Sequence, residues 1–378
     1  MKTRPGQMDK MKPLRAWLQS MGGHIHEHLV FGENSSGLQG IYSTGDIVAG
    51  TELISVPAEL CLGPTSLEQY DRRPPLTVQP EVGAGVVALF TEFSQGGKSR
   101  YLPYFELLPT LAEYQLNMPY CCSDAELAEI NNLSPRCASI ISDFRAMTNE
   151  ICVGLALPPE HPDVMWAALN YVTRAFGEHG LVPGCDFFNH KADLGSRITG
   201  QRTIRACSDV ADGEELYISY GHNDSLYLWA RYGFLDSEAE AAINCSDITF
   251  HLGTDDAAAR TAEWLRSRGH PLSQSREGAL KVTFSNEVYF TASGPSDEAI
   301  VISEAISGGS PGTAGDGTVS KEGLEKLRQL LSVFRGEINE AALNAECGSS
   351  LAEILRGLLK DRLAIIDANL RWVSERAI

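Results

Sequence analysis

Three short segments concentrate the side chains that could do chemistry: Leu181-Val-Pro-Gly-Cys-Asp-Phe-Phe-Asn-His190, Ala211-Asp-Gly-Glu-Glu-Leu-Tyr-Ile-Ser-Tyr-Gly221 and Arg231-Tyr-Gly-Phe234. They offer a carboxylate (Asp186), a carboxamide that can donate and accept (Asn189), an imidazole (His190), a phenol (Tyr220) and two aromatic rings (Tyr232, Phe234). Taken singly, each has a plain structural explanation. Asn189-His190 reads as a turn, Tyr220 as a strand end, and Tyr232 or Phe234 as core aromatics; it is their combination that singles them out. A separate run, His24-x-His26-x-His28, would put three imidazoles on one face of a strand. That is the start of a metal site if a fourth ligand approaches, and otherwise a polar strand face. The nine cysteines are odd in number and include no Cys-x-x-Cys pair, so neither a disulfide framework nor a zinc knuckle is expected, and no metal.

The elements that must position these groups are legible as patterns. Pro13 to Met21 reads as a short helix ending at Gly22-Gly23, and His24 to Phe31 alternates like a strand. Strand-like runs at Gly40-Ile-Tyr-Ser43 and Glu52-Leu-Ile-Ser-Val56 flank a turn with two glycines. Helical patterns follow at Glu81 to Gln95, Ser123 to Asn132, Arg136 to Glu150 and Trp166 to Phe176. Strands return at Leu181-Val-Pro, Thr203 to Cys207 and Glu215 to Tyr220. Beyond Leu252 the chain reads as a helix, two strands around Lys281 to Phe290, a Gly/Ser/Pro-rich loop from Ser307 to Thr318, and two helices. Leu324, Leu327, Leu331, Phe334 and Ile338 form one apolar stripe; Leu351, Ile354, Leu355, Leu358 and Leu359 begin another, so these helices are expected to pack together. The fold class is therefore α+β: a β unit opened by residues 1–62, interrupted by a helical insertion at 63–170, resumed at 171–250 and followed by a helical lobe at 251–378.

A length of 378 residues exceeds what one hydrophobic core sustains, so more than one domain is expected. The formal charge of −18 argues against wrapping a nucleic-acid backbone, which needs Lys and Arg to displace counterions. A basic protein or peptide is the more favourable partner, although acidity also serves solubility. The first residues lack an apolar signal core, and no apolar run approaches the ~18 residues of a membrane span, so a cytoplasmic or nuclear location and no membrane partner are expected.

The three segments resemble the Asn-His and Gly-Glu-Glu-Leu-x-Ile-x-Tyr-Gly motifs of SET-domain protein methyltransferases in order and spacing, and Gly40-Ile-Tyr-Ser-Thr-Gly-Asp-Ile47 resembles that family's first motif. Ser99-Arg-Tyr-Leu-Pro-Tyr-Phe-Glu-Leu-Leu-Pro109 and Thr173-Arg-Ala-Phe176 resemble segments of the branch that includes the Rubisco large-subunit lysine methyltransferase. That resemblance implies a mostly β SET core with pseudoknot-like threading, which makes Asn189 and Tyr220 neighbours, split by a helical insertion and followed by a substrate-holding lobe. It also implies S-adenosyl-L-methionine as cofactor and, as partner, a non-histone protein presenting a lysine to a monomeric enzyme. By the same match, Tyr220 stands as the catalytic tyrosine, and Gly37, Leu38, Gln39, Gly40, Arg174, Asn189, His190 and Tyr220 as cofactor-binding positions. Phe176, Asp186, Tyr232 and Phe234 stand as the substrate channel.

The chain has Gly37-Leu-Gln-Gly40 where the family usually has Glu-Gly-x-Gly, and it lacks a cysteine-rich segment after Phe234, as the Rubisco-type branch does. A lysine must shed a proton, at a cost of about 4 kcal/mol at neutral pH, and an apolar channel lowers that cost. Phe176, where the actin-histidine branch carries a polar residue, and Cys185, where that branch has a tryptophan, favour lysine over histidine. Histidine or N-terminal amine methylation and a non-catalytic SET-fold binding module are the alternatives.

Overall fold

The structure is a computed structural model that describes residues 10–33, 39–69, 74–191, 196–199, 202–220, 225–235, 242–245, 249–253, 256–270, 272–274, 280–284, 288–307 and 319–377. Two compact units result: Met1–Cys121 with Ile140–Tyr220, and Cys122–Ser139 with Gly221–Ile378. The division does not follow the expected boundaries at 62, 170 and 250. The chain's middle helices are shared out, because apolar periodicity reveals a buried face without revealing what buries it.

The first unit holds strands β1 (His24–Ile25), β2 (Leu29–Glu33), β3 (Gln39–Ser43), β4 (Glu52–Ser55), β5 (Asn189–His190), β6 (Ser196–Thr199), β7 (Thr203–Ala206) and β8 (Glu215–Ile218). They pair in the order β1-β4-β7-β6-β8-β3-β2, with β5 joined to β8 off this path. Helix α1 (Lys12–Ser20) starts at a proline and buries Leu14 and Leu18, the one-face spacing of its apolar residues. The chain then turns sharply. Leu29 N–H donates to the His26 carbonyl at 3.1 Å and His28 N–H to His26 Nδ1 at 3.3 Å. The expected strand over His24 to Phe31 is thus two strands at opposite ends of the sheet path, and the three imidazoles do not share a strand face. Among the described residues no three His, Cys, Asp or Glu side chains are grouped to hold a metal ion.

The insertion forms α2 (Pro80–Phe93), α3 (Leu102–Phe105), α4 (Leu111–Asn117), α5 (Asp124–Leu133), α6 (Pro135–Gly154) and α7 (Pro162–Arg174). Thr110 with Glu113 and Ser123 with Glu126 make reciprocal capping boxes that set the starts of α4 and α5. Helix α7 begins four residues before the expected Trp166, where Pro162 follows a His161 side chain that caps Asp163 N–H. Leu181, expected in a strand, makes a single antiparallel bridge to Leu62.

The second unit contains α8 (Ser225–Tyr232), β9 (Ala242–Asn244), β10 (Thr249–Gly253), α9 (Asp256–Ser267), β11 (Leu272–Gln274), β12 (Leu280–Thr283), β13 (Tyr289–Thr291), β14 (Gly294–Pro295), α10 (Asp297–Ile306), α11 (Lys321–Gly336) and α12 (Ser350–Arg376). It is not purely helical, since β10-β12-β11 and β14-β13-β9 form two three-stranded sheets. The stripe Leu324, Leu327, Leu331, Phe334 and Ile338 is buried as expected, and α11 packs on α12. On α12 the buried face runs through Ala352, Leu355, Leu359, Ile366 and Val373, leaving Ile354 exposed. Helix α5 also packs on α12, and Glu129 accepts from Gly348 N–H, Ser349 N–H and the Ser349 hydroxyl at the helix start. Residues 308–318 of the Gly/Ser/Pro stretch lie outside the described residues. No described helix is long and apolar enough to cross a membrane.

Candidate active site

The parallel pairing of β5 with β8 sets Asn189 opposite Tyr217 and His190 opposite Ile218, which brings the Asn-His pair beside Tyr220. Tyr220 N–H donates to His190 Nδ1 at 3.0 Å, so a neutral His190 carries its proton on Nε2. The two rings lie 5.1 Å apart and tilted by 31°. The Tyr220 phenol donates to the Phe188 carbonyl at 2.9 Å, which fixes the hydroxyl's direction.

Asn189 is tied to the first motif as well. Its Nδ2 donates to the Gln39 carbonyl at 2.9 Å and to Glu215 Oε1 at 2.7 Å, and Glu215 Oε2 accepts from the Tyr42 hydroxyl at 2.7 Å. Burial, then the Glu215 carboxylate, pushes the Tyr42 phenol well above its ordinary value. Gly40 is where this cluster needs no side chain: a Cβ there would stand 2.5 Å from Glu215 Oε1 and 2.6 Å from Asn189 Nδ2. Gln39 and Gly40 therefore join Asn189, His190 and Tyr220. Gly37 and Leu38 lie outside the described residues.

A second cluster surrounds Arg174, the last residue of α7. Its Nη1 donates to the Asp186 carbonyl at 2.8 Å and lies 3.6 Å from Asp186 Oδ2, while Nε donates to the Tyr114 hydroxyl at 3.5 Å. The guanidinium also stacks over Phe187 at 5.7 Å. Asp186, expected on the channel wall, has a fully buried side chain. Its Oδ2 accepts from the Tyr104 hydroxyl at 2.8 Å and its Oδ1 from Gly184 N–H at 3.1 Å. Burial pushes this carboxyl up to about 6, with the Arg174 charge and the Tyr104 hydrogen bond acting against the shift. Cys185 beside it is buried, and burial pushes its thiol well up. Residues 185–190 thus run continuously from one cluster to the other.

Phe176 follows α7, is half-buried, and donates its N–H to the Gly180 carbonyl at 2.8 Å. Tyr232 and Phe234 belong to the second unit, where their rings lie 6.0 Å apart and Arg231 stacks over Tyr232 at 5.8 Å. Burial raises the Tyr232 phenol.

Four residues with a part in these clusters were not singled out from sequence: Tyr42, Tyr104, Tyr114 and Glu215. Glu215 and Tyr42 lie inside the recognisable motifs, and Tyr104 inside the Ser99 to Pro109 segment, but nothing local marks a tyrosine as a partner for a carboxylate so distant in sequence.

The SET-domain family model matches residues 39–221. Among solved structures, the SET domain of LSMT bound to lysine and AdoHcy is 16% identical, with 98% of this chain and 92% of that chain covered and a TM-score of 0.58. Rubisco LSMT bound to AdoMet matches with the same identity, coverage and score. Rubisco LSMT bound to Sinefungin and monomethyllysine is 17% identical over the same shares, with a TM-score of 0.56. These likenesses establish a common fold. No curated protein sequence gives a significant match.

Proposed function

We propose that this chain, whose residues 39–221 form a SET domain, is a protein-lysine N-methyltransferase that uses S-adenosyl-L-methionine and acts on a non-histone protein. The observation that carries this reading is the convergence of Gln39, Gly40, Asn189, His190 and Tyr220 on one end of the sheet. The fold around them is shared with structures whose ligands are AdoMet, AdoHcy or Sinefungin and, in some, lysine or monomethyllysine.

The residues fit such a cofactor. Asn189 and Tyr220, made neighbours by the β5–β8 pairing, offer a carboxamide and a hydroxyl, and the partly exposed Arg174, with five N–H donors, suits a carboxylate. When bound, S-adenosyl-L-methionine supplies a sulfonium methyl group that an amine nitrogen can accept as the sulfur–methyl bond breaks, leaving a neutral thioether.

The protein's own work is positioning and desolvation. Tyr220, held by its bond to the Phe188 carbonyl, keeps a hydroxyl oxygen at a set place to orient the incoming amine. At the channel position that the resemblance gives it, Phe176 takes water away from the lysine amine, and this desolvation of the ammonium promotes loss of its proton to solvent. It also offers no hydrogen-bond partner to an imidazole, which favours lysine over histidine.

The test is calorimetric titration with S-adenosylmethionine and its demethylated product, followed by radiolabelled methyl transfer into lysate proteins. Binding with label in lysine of a discrete band supports the reading; absence of binding leaves a SET-fold binding module. Tyr220→Phe is expected to reduce transfer by about 10²-fold or more with cofactor affinity nearly intact, since it removes one hydroxyl and little volume. An equal loss of binding would show that Tyr220 serves the cofactor instead.

A further inference from the structure

Asn189 is gripped by two groups that can only accept. Its Nδ2 donates one proton to the Gln39 carbonyl and the other to the Glu215 carboxylate, at 2.9 and 2.7 Å. A carbonyl and a carboxylate have no proton to give, so turning the carboxamide over would set oxygen against oxygen twice. The other Glu215 oxygen is held by the Tyr42 hydroxyl, and Tyr42 lies directly opposite Glu215 in the β3–β8 register. Two glycines make room for the arrangement. Gly40 leaves space for the Glu215–Asn189 bond itself, and Gly32, its cross-strand partner, lets the Tyr42 ring lie flat on β2, where any Cβ would collide with it. Residues from β2, β3, β5 and β8 thus build one orientation lock.

We infer that Tyr42 and Glu215 are positioning residues that commit Asn189 to presenting only its Oδ1 acceptor, and so select the protonated α-amino group at the cofactor's amino-acid end. The inference rests on the methyltransferase reading and deepens it. Arg174 provides the complementary half, a cation for the carboxylate of the same end. Without the lock the carboxamide presents either pole, and one of the two sets its N–H donors against an ammonium.

The experiment compares S-adenosylhomocysteine with its analogue lacking the α-amino group, titrated calorimetrically into wild type, Tyr42→Phe and Glu215→Ala. Wild type is expected to prefer the amino compound by about tenfold, the worth of one hydrogen bond to a charged group. In both variants that preference shrinks, further in Glu215→Ala, while affinity for the analogue stays within about twofold of wild type. The unchanged analogue affinity also reports that each variant is folded. Equal loss for both compounds, or a preference that survives both substitutions, overturns the lock. Failure of wild type to bind either compound instead overturns the reading of the site as a cofactor site, and the lock with it.

Discussion

Around Arg174 and Asp186 the polar groups are sunk into the first unit and bonded to one another, whereas on α11 and α12 the charges stand largely in water over an apolar seam. The Asp186 side chain has no exposure and that of Arg174 only 20%, yet Tyr104, Tyr114 and backbone groups satisfy them. The pairs Arg328–Glu325 and Arg335–Glu340 are between 38% and 51% exposed. Buried charge costs desolvation free energy that an apolar pair of the same volume would not, so its presence beside Asn189 and Tyr220 marks a region shaped for a task beyond cohesion. The seam between α11 and α12 is held mainly by Leu327, Leu331, Phe334, Leu355 and Leu359; one cation, Arg362, is buried in it over the Phe334 ring and 3.8 Å from Glu337, while the other pairs named are peripheral.

Removing one side of a pair in each region should break this contrast most visibly. Asp186→Ala leaves Arg174 and the Tyr104 hydroxyl without their buried partner and is expected to cost about 3–5 kcal/mol, read as a lowered urea midpoint at unchanged slope. A midpoint within experimental scatter of wild type would mean that the site is hydrated and the contrast unfounded. Leu327→Ala in the seam is expected to cost about 2–5 kcal/mol through lost burial and the cavity left behind.

The pH dependence sharpens the comparison. Asp186 is raised from 3.8 to about 6, so between these values the native state keeps a proton that the unfolded chain has released. Its contribution to stability is therefore greatest below about pH 4, falls as pH rises to about 6, and is level above. Wild type measured against the non-titrating Asp186→Asn should lose on the order of 3 kcal/mol across that window. A flat difference curve would place the carboxyl in contact with water. Smaller effects belong to the second unit. Glu129→Ala removes three acceptor contacts at the α12 start and should cost about 1 kcal/mol, visible in the melting temperature. Glu325→Ala breaks an exposed pair three residues apart and should change stability by no more than about 0.5 kcal/mol.

The side chains of the site were legible because they lie within short motifs: Asn189-His190, Tyr220, Arg174 and Gly40 each carried a recognisable neighbourhood. The helices were legible because an apolar stripe and a cap are local. Both α1 and the Leu324 to Ile338 face follow from spacing alone, while α7 starts four residues ahead of Trp166 because the His161 side chain caps it.

By itself, then, the sequence offered candidate residues for a cofactor and marked several helices with their apolar faces, α1, α2, α5, α6 and α11 among them, but not α3, α4, α8 or α10. Only the tertiary structure decided what those faces and side chains meet. It moved α5 onto α12, turned the chain between His26 and His28 so that β1 and β2 end on opposite sides of the sheet path, and buried Asp186 against Arg174 and Tyr104. It also set Tyr42 across from Glu215, 173 residues away, with Asn189 held between Glu215 and Gln39. The physical reason is common to all of these. Periodicity and capping are interactions over three or four residues, but a hydrogen bond between distant strands depends on sheet register, which the whole chain sets at once.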